Sequence, residues 1–266
     1  MSHNDETAVD QSTAAQIAQW LMTARRAVVF TGAGMSTESG IPDFRSPGGV
    51  WARYQPVYFQ DFVASDTARR EYWRQKCEAH EQFGSALPNA GHKVLAEWEA
   101  AGRLQAVITQ NIDGLHQAAG SRRVLELHGS ALRVVCLSCA QQFAPEPLMA
   151  AFRETAQAPV CTACGGLLKS ATVSFGQALP EDVLTEAWEL AQQSDLFLVL
   201  GSSLVVEPAA SLPRLARQNG ARLVIVNRDP TEQDRTADAV LRAPLGVALA
   251  TIQRLAQQTN SAAQQA

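Results

Sequence analysis

The chain has 266 residues, 46% hydrophobic and 18% charged, with a formal net charge of −4. That length suits one large domain or a domain with an inserted module, and the apolar fraction excludes a disordered chain. No run of about 18 apolar residues suggests a transmembrane helix, and the slight acidity leaves no footprint for nucleic acid or an anionic membrane.

In chain order, residues 1–11 are polar and lack the basic and apolar segments of a secretory signal, so a mobile tail on a cytoplasmic protein is expected. A first helix is predicted from Ser12, with Ile17, Trp20 and Leu21 on one face. The apolar run 27–30 then enters Thr31-Gly32-Ala33-Gly34, as a buried strand enters a glycine turn. Residues 48–90 hold Trp51, Tyr54, Tyr58, Phe59, Phe62, Tyr72 and Trp73 among polar residues without a strand pattern, and read as a helical insertion. Strand-like runs recur at 104–109, 124–127, 196–200 and 223–226, with helical patterns at 91–102, 180–193 and 208–220. Strands alternating with helices imply a parallel sheet covered on both faces. The expected fold class is therefore α/β, a doubly wound parallel sheet with a helical and a metal-bearing insertion. The core falls at 12–47, 91–130 and 171–257, the insertions at 48–90 and 131–170, and a second polar tail at 258–266.

Five constellations carry chemistry. Gly32-Ala33-Gly34-Met35-Ser36-Thr37 closes the first strand, where glycines let a backbone approach a pyrophosphate. The third glycine of the dinucleotide fingerprint is replaced by Thr37, so an ordinary strand-to-helix turn competes with a nucleotide site. The loop continues through Ile41-Pro42-Asp43-Phe44-Arg45, joining an acid, an aromatic and an arginine. Second, Cys136-x2-Cys139 and Cys161-x2-Cys164 form two thiolate hooks that suit tetrahedral Zn²⁺ and leave no open position for a reacting water. A redox pair or two disulfides are the competing readings, and Cys77 reads as a small buried side chain. Third, Gln110-Asn111-Ile112-Asp113 follows a strand, where it binds a ligand or caps a helix. Fourth, His128-Gly129 also follows a strand, where a histidine can transfer protons, sit satisfied in the core or ligate zinc, the last disfavoured because four cysteines already complete a site. Fifth, Gly201-Ser202-Ser203 and Asn227-Arg228-Asp229 end two later strands and together suggest a second half of a dinucleotide site.

In combination these residues resemble the sirtuin family of NAD-dependent protein-lysine deacylases. Residues 32–45 read GAGMSTESGIPDFR, similar to the family's cofactor loop, and the other motifs, with Phe175-Gly176, follow in family order over about 15–255. Pro88-Asn89-Ala90-Gly91-His92 and Ser121-Arg122-Arg123 resemble the branch holding lipoamidase-type mitochondrial sirtuins and bacterial relatives. The resemblance implies a Rossmann-like large domain, a zinc ribbon, NAD as co-substrate and one structural Zn²⁺. It places Gly32, Ala33, Gly34, Ser36, Asp43 and Arg45 around the pyrophosphate, and Gly201, Ser202, Ser203, Asn227, Arg228, Asp229 and Leu245 on the adenosine side. Ile41, Gln110, Asn111, Ile112 and Asp113 would line the nicotinamide pocket, with Asn111 and Asp113 assisting catalysis. Phe44 would shield the reacting ribose carbon, and His128 would act as general base. The products implied are nicotinamide, O-acyl-ADP-ribose and free lysine. An acyl-lysine peptide would pair as a strand between Val173, Ser174, Phe175, Gly176 and the segment Leu204-Val205.

Gln177 and Ser170 depart from the family at positions outside the catalytic set. Tyr72 is followed three residues on by Gln75, not the arginine of sirtuins that take acidic acyl groups, so acetyl, lipoyl and longer groups remain open. Partners are expected to be acylated proteins or peptides, with no nucleic acid and no membrane. Protein mono-ADP-ribosyl transfer and a non-catalytic NAD or acyl-lysine sensor are the alternatives.

Overall fold

The computed structural model describes residues 9–43, 49 and 55–265. In chain order the elements begin with α1 (Gln11–Thr23), β1 (Ala27–Thr31), α2 (Phe59–Ala64), α3 (Asp66–Phe83), α4 (Ala90–Ala100), β2 (Ala106–Thr109), α5 (Leu115–Ala118) and β3 (Val124–Glu126). There follow β4 (Gly129–Cys136), β5 (Gln142–Phe143), α6 (Pro145–Thr155), β6 (Leu168–Thr172), α7 (Glu181–Gln193) and β7 (Leu196–Leu200). The chain closes with α8 (Ser211–Gln218), β8 (Arg222–Val226), β9 (Ala239–Leu241) and α9 (Leu245–Gln265).

Six parallel strands form the main sheet in the order β3-β2-β1-β7-β8-β9. Their apolar runs lack alternation because both faces are covered, so successive residues enter different cores. Val28, Phe30, Ile108, Phe197, Val199 and Ile225 pack with Leu190 of α7 and Ala216 of α8. Val29, Val107, Leu198, Val224 and Val226 pack on the opposite face with Ile17, Leu21, Leu95, Leu249 and Ile252. Each such side chain contributes about 1.5–3 kcal/mol by leaving water.

The ends of the chain differ from the sequence reading. The cap of α1 is Asp10 rather than Ser12, its carboxylate accepting the backbone N–H groups of Ser12 and Thr13 at 3.0 and 3.4 Å. A carboxylate there also meets the positive end of the helix dipole. Val9 is buried, so the folded core begins before residue 11. The polar stretch after 258 continues α9 to Gln265, since Gln and Ala are good helix formers.

A second, antiparallel sheet has the order β5-β4-β6. Its strand β4 starts at Gly129, whose φ of 71° and a Cβ that would lie 1.9 Å from the Ala171 carbonyl oxygen demand glycine. There the chain leaves the large sheet for the small module. Phe62, Tyr72 and Trp73 from α2 and α3 share one apolar core with Val134, Met149, Phe152, Leu168, Cys136 and Cys161. The buried Trp73 indole N–H donates to the Leu168 carbonyl at 3.2 Å. The helical segment and the cysteine-bearing segment thus fold onto each other. Trp73→Phe strands that carbonyl and should lower stability by about 1–3 kcal/mol in chemical denaturation.

Candidate functional site

β1 and β7 are neighbours, and the chain leaves them toward opposite sides of the sheet. That arrangement opens a crevice at their carboxyl ends. The Gly32 N–H donates to the Leu200 carbonyl at 3.1 Å, and the Gly34 N–H to the Gly201 carbonyl at 2.9 Å. A Cβ on Gly32 would stand 2.8 Å from the Gly201 oxygen, and one on Gly34 would stand 2.9 Å from the Gly201 Cα. Gly201 has φ of 64°, and a Cβ there would meet the Met35 nitrogen at 2.6 Å. The glycines are thus first a packing requirement between two turns. Residues 33–35 and 37–39 then form two short 3-10 turns, and Ile41 folds back with its N–H on the Ser36 carbonyl at 3.3 Å.

The end of β2 supplies the next group. Asn111 Nδ2 donates to the Gly32 carbonyl at 3.0 Å and to Ser36 Oγ at 3.1 Å, and Ser36 Oγ donates to Asp113 Oδ2 at 2.6 Å. Asp113 Oδ1 accepts the Leu115 N–H at 2.9 Å, so this carboxylate also serves the helix-starting role. Gln110 Nε2 donates to Ser202 Oγ at 2.7 Å, bridging to the turn after β7. Ile112 follows in the same loop, its carbonyl accepting the Ala131 N–H at 2.8 Å.

His128 completes this side. Its Nδ1 lies 3.0 Å from the Gln110 carbonyl, which can only accept, so Nδ1 carries the proton and Nε2 keeps its lone pair. Burial pulls its pKa below the ordinary histidine value, opposed by that hydrogen bond. The imidazole is therefore neutral near pH 7 and able to accept a proton. The Val173 N–H donates to the His128 carbonyl at 2.8 Å, placing 173–176 beside it. There the Phe175 and Tyr58 rings stand 6.0 Å apart, and Phe175 and Val205 are exposed while Leu204 is buried.

On the other side, the Gly201 N–H donates to the Val226 carbonyl at 3.0 Å, and Asn227 Nδ2 to the Asp229 carbonyl at 2.7 Å. Arg228 and Asp229 form an exposed ion pair at 3.6 Å. Leu245 reaches Gly201, where an added Cβ would lie 2.8 Å from its Cδ1. The structure thus gathers Gly32, Ala33, Gly34, Ser36, Gln110, Asn111, Asp113, His128, Gly201, Ser202, Asn227 and Leu245 along one rim. Asp43 is half-buried, and Phe44 and Arg45 lie outside the described residues.

Three supports had no sequence signal. Arg242 Nη1 donates to the Asn227 and Asp229 carbonyls at 2.9 and 3.2 Å. Glu38 accepts the Gly246 N–H at 2.8 Å, tying the 33–39 loop to the first turn of α9. Behind Asn111, Thr31 Oγ1 donates to Thr109 Oγ1 at 2.7 Å and contacts His116 Nε2 at 2.9 Å. The His116 ring packs on His92, centroids 4.8 Å apart. Burial brings His92 down to about 4, against the pull of the Asp113 charge, and brings His116 down to about 3 with help from His92.

The four thiols of Cys136, Cys139, Cys161 and Cys164 lie within 4.8 Å of one another. The Cys136–Cys164 and Cys139–Cys161 sulfur distances are 3.5 and 3.7 Å. A tetrahedron with Zn–S bonds of about 2.3 Å has edges of about 3.8 Å, so the cluster fits one structural Zn²⁺. Cys136 is held down to about 6 by the Cys139 N–H first and the Ser138 N–H after it, while, against the Gly166 N–H, hydrogen bonds with the Cys139 and Cys136 sulfurs push Cys164 up to about 12. Four thiolates this close need a cation among them.

The sequence profile of the Sir2 family matches residues 32–208. The NAD-dependent protein deacetylase of Rhodopseudomonas palustris is 50% identical over 236 residues, covering 88% of this chain and 93% of its own. The NAD-dependent protein deacylase 2 of Pyrobaculum aerophilum is 42% identical over 88% of this chain and 92% of its own. A Sir2 structure with a deacetylated p53 peptide and 3'-O-acetyl-ADP-ribose superposes with a TM-score of 0.84 at 38% identity, covering 90% of this chain and 96% of that one.

Two outcomes are expected. His92 and His116 have folded pKa values below the unfolded value of about 6.5, so the unfolded chain binds more protons as pH falls. Their contribution is complete above about pH 6.5 and declines from there toward pH 4, by up to about 1.4 kcal/mol per unit for each histidine. Urea unfolding between pH 7.5 and 5 should show this slope, and it should shrink in His92→Gln. Metal analysis should find one zinc per chain, and chelation should lower the unfolding temperature, because structural zinc contributes folding energy directly.

Proposed function

The chain belongs to the Sir2 family, and on that premise we propose that it removes acyl groups from protein lysine side chains with NAD as co-substrate. The products are nicotinamide, O-acyl-ADP-ribose and the free lysine. The observation that carries this reading is His128: half-buried, neutral, with Nδ1 committed to Gln110 and Nε2 available, on the same rim as the glycine turns.

In this reading Gly32, Ala33, Gly34 and Ser36, with Arg45, hold the pyrophosphate through backbone and side-chain donors. Gly201, Ser202, Ser203, Asn227 and Leu245 receive the adenosine half. Ile41, Asn111, Ile112 and Asp113 surround the nicotinamide, and the Asn111–Ser36–Asp113 hydrogen bonds keep that wall rigid. When bound, NAD supplies an electrophilic ribose carbon as nicotinamide leaves. Phe44 would exclude water from that carbon, and His128 Nε2 would accept the proton of a ribose hydroxyl. The acyl-lysine peptide pairs along Val173, Ser174, Phe175 and Gly176 on one side and Leu204-Val205 on the other.

The shared core of Trp73, Val134 and Leu168 supports a division in which 48–90 and 131–170 form the small module on a catalytic unit of 12–257. Among the described residues no helix is long and apolar enough to cross a membrane. The cytoplasm is the proposed compartment, where the four cysteines stay reduced for zinc.

Acetyl, lipoyl, succinyl and long-chain peptides should be compared for nicotinamide release from NAD. No release with any of them would defeat the proposal. Transfer of labelled ADP-ribose to protein without deacylation would assign the transferase activity instead. His128→Ala should lower turnover by about 10²–10⁴-fold with zinc content and melting temperature unchanged. Wild-type activity should fall on acidification only below the ordinary histidine range, because a base must be neutral and burial lowers this one.

A further inference from the structure

Behind the Asn111 loop lie two buried histidines, on α4 and α5, whose donors and acceptors can be assigned. The His92 Nδ1 accepts the Asn89 backbone N–H at 3.3 Å within the capping box of α4, so the proton of its neutral ring sits on Nε2. His116 Nε2 lies 2.9 Å from Thr31 Oγ1, whose own proton goes to Thr109 Oγ1 at 2.7 Å. His116 Nε2 is therefore the donor to Thr31, and Nδ1 holds a lone pair.

What remains is one N–H on His92 Nε2 and one lone pair on His116 Nδ1, each sealed from solvent and, among the described residues, without a hydrogen-bond partner. The rings stand 4.8 Å apart at 62°. The two rings therefore meet by packing, and each is fixed through its bonded nitrogen, His92 on Asn89 and His116 on Thr31.

We infer that His92 and His116 act as one pair of packed, neutral rings that positions both arms of the nicotinamide pocket. One arm runs through Thr109 Oγ1, which also accepts the Asn111 backbone N–H at 3.0 Å. The other runs through Asn89, which caps His92 and donates from Nδ2 to the Met35 carbonyl at 2.8 Å and to Ser39 Oγ at 3.1 Å. The pair therefore ties the 33–39 loop to the Asn111 loop from beneath, touching neither substrate. The polarity of the rings sets direction as well as volume, because reversing either tautomer breaks the bond to Asn89 or to Thr31. Burial disfavours a proton on either ring, Asp113 is the charge that acts on His92, and a charge on His92 would further oppose one on His116.

This inference rests on the Sir2 reading, and its test separates the two. His116→Phe and Thr31→Val should each raise KM for NAD and the inhibition constant of nicotinamide about tenfold, with KM for the acyl-peptide held within about twofold. His116→Gln, which keeps an N–H near the Nε2 position, should recover most of the loss. In imidazole 15N–1H spectra at pH 7, both rings should appear as the Nε2–H tautomer. Equal shifts of the NAD and peptide parameters, a fall in melting temperature with unchanged kinetics, or an Nδ1–H or charged ring would each overturn the assignment. If His116→Phe does not fold, Thr31→Val decides alone, since it replaces one hydroxyl and keeps the shape. Should wild type release no nicotinamide with any acyl-peptide, the deacylase reading fails. Calorimetric NAD binding by wild type and Thr31→Val then still decides the role of the pair, with equal affinities overturning it.

Discussion

The close approach of two backbone turns, one after β1 and one after β7, governs everything built above the sheet. Gly32, Gly34 and Gly201 meet where any Cβ would fall at 2.6–2.9 Å from backbone of the opposite turn. That contact lets the Gly32 and Gly34 N–H groups pair with the carbonyls of residues 200 and 201. The Gly32 carbonyl in turn receives the Asn111 carboxamide, and Ser202 beside Gly201 receives Gln110. A methyl group at any of the three glycines would part the turns and release both loops. Glycine at this switch point is thus needed for the protein's own packing before any phosphate is considered.

From the same rim the chain crosses into the second sheet at His128-Gly129. The imidazole and the pivot are consecutive, so the orientation of His128 is coupled to the start of β4 and, through Val173, to the exit of β6. β4 ends at Cys136, the first thiol of the cluster. Zinc at that end would contribute rigidity to the strand whose other end follows the imidazole. Four thiolates saturate a tetrahedral ion, so its part is structural.

The parts legible in the chain were those in which a local pattern has few uses. The run 196–200 matches β7 to the residue, and 223–226 misses only the first residue of β8. Two thiol hooks at that spacing have one common purpose, and the cluster in space agrees. β9 passed unseen because three residues, Ala239–Leu241, are too few to show a period. The start of α1 was misplaced because Asp10 and Ser12 are equally good caps, and only the carbonyl and amide directions choose.

By itself, the sequence determined the alternation of strands and helices, the metal ligands, the glycine turns and the histidine at a strand end, because each is a short-range pattern of residue types. Tertiary structure alone decided which distant groups meet. Glu38 reaches Gly246 across 208 positions, Arg242 reaches back to Asn227, and Trp73 binds the Leu168 carbonyl. Along the chain His92 falls in the predicted helical pattern 91–102, and nothing there couples it to His116. Their burial, His116 on Thr31 and His92 on His116, and with it their neutral state, comes from the packing of α4 and α5 on the sheet, where desolvation disfavours charge.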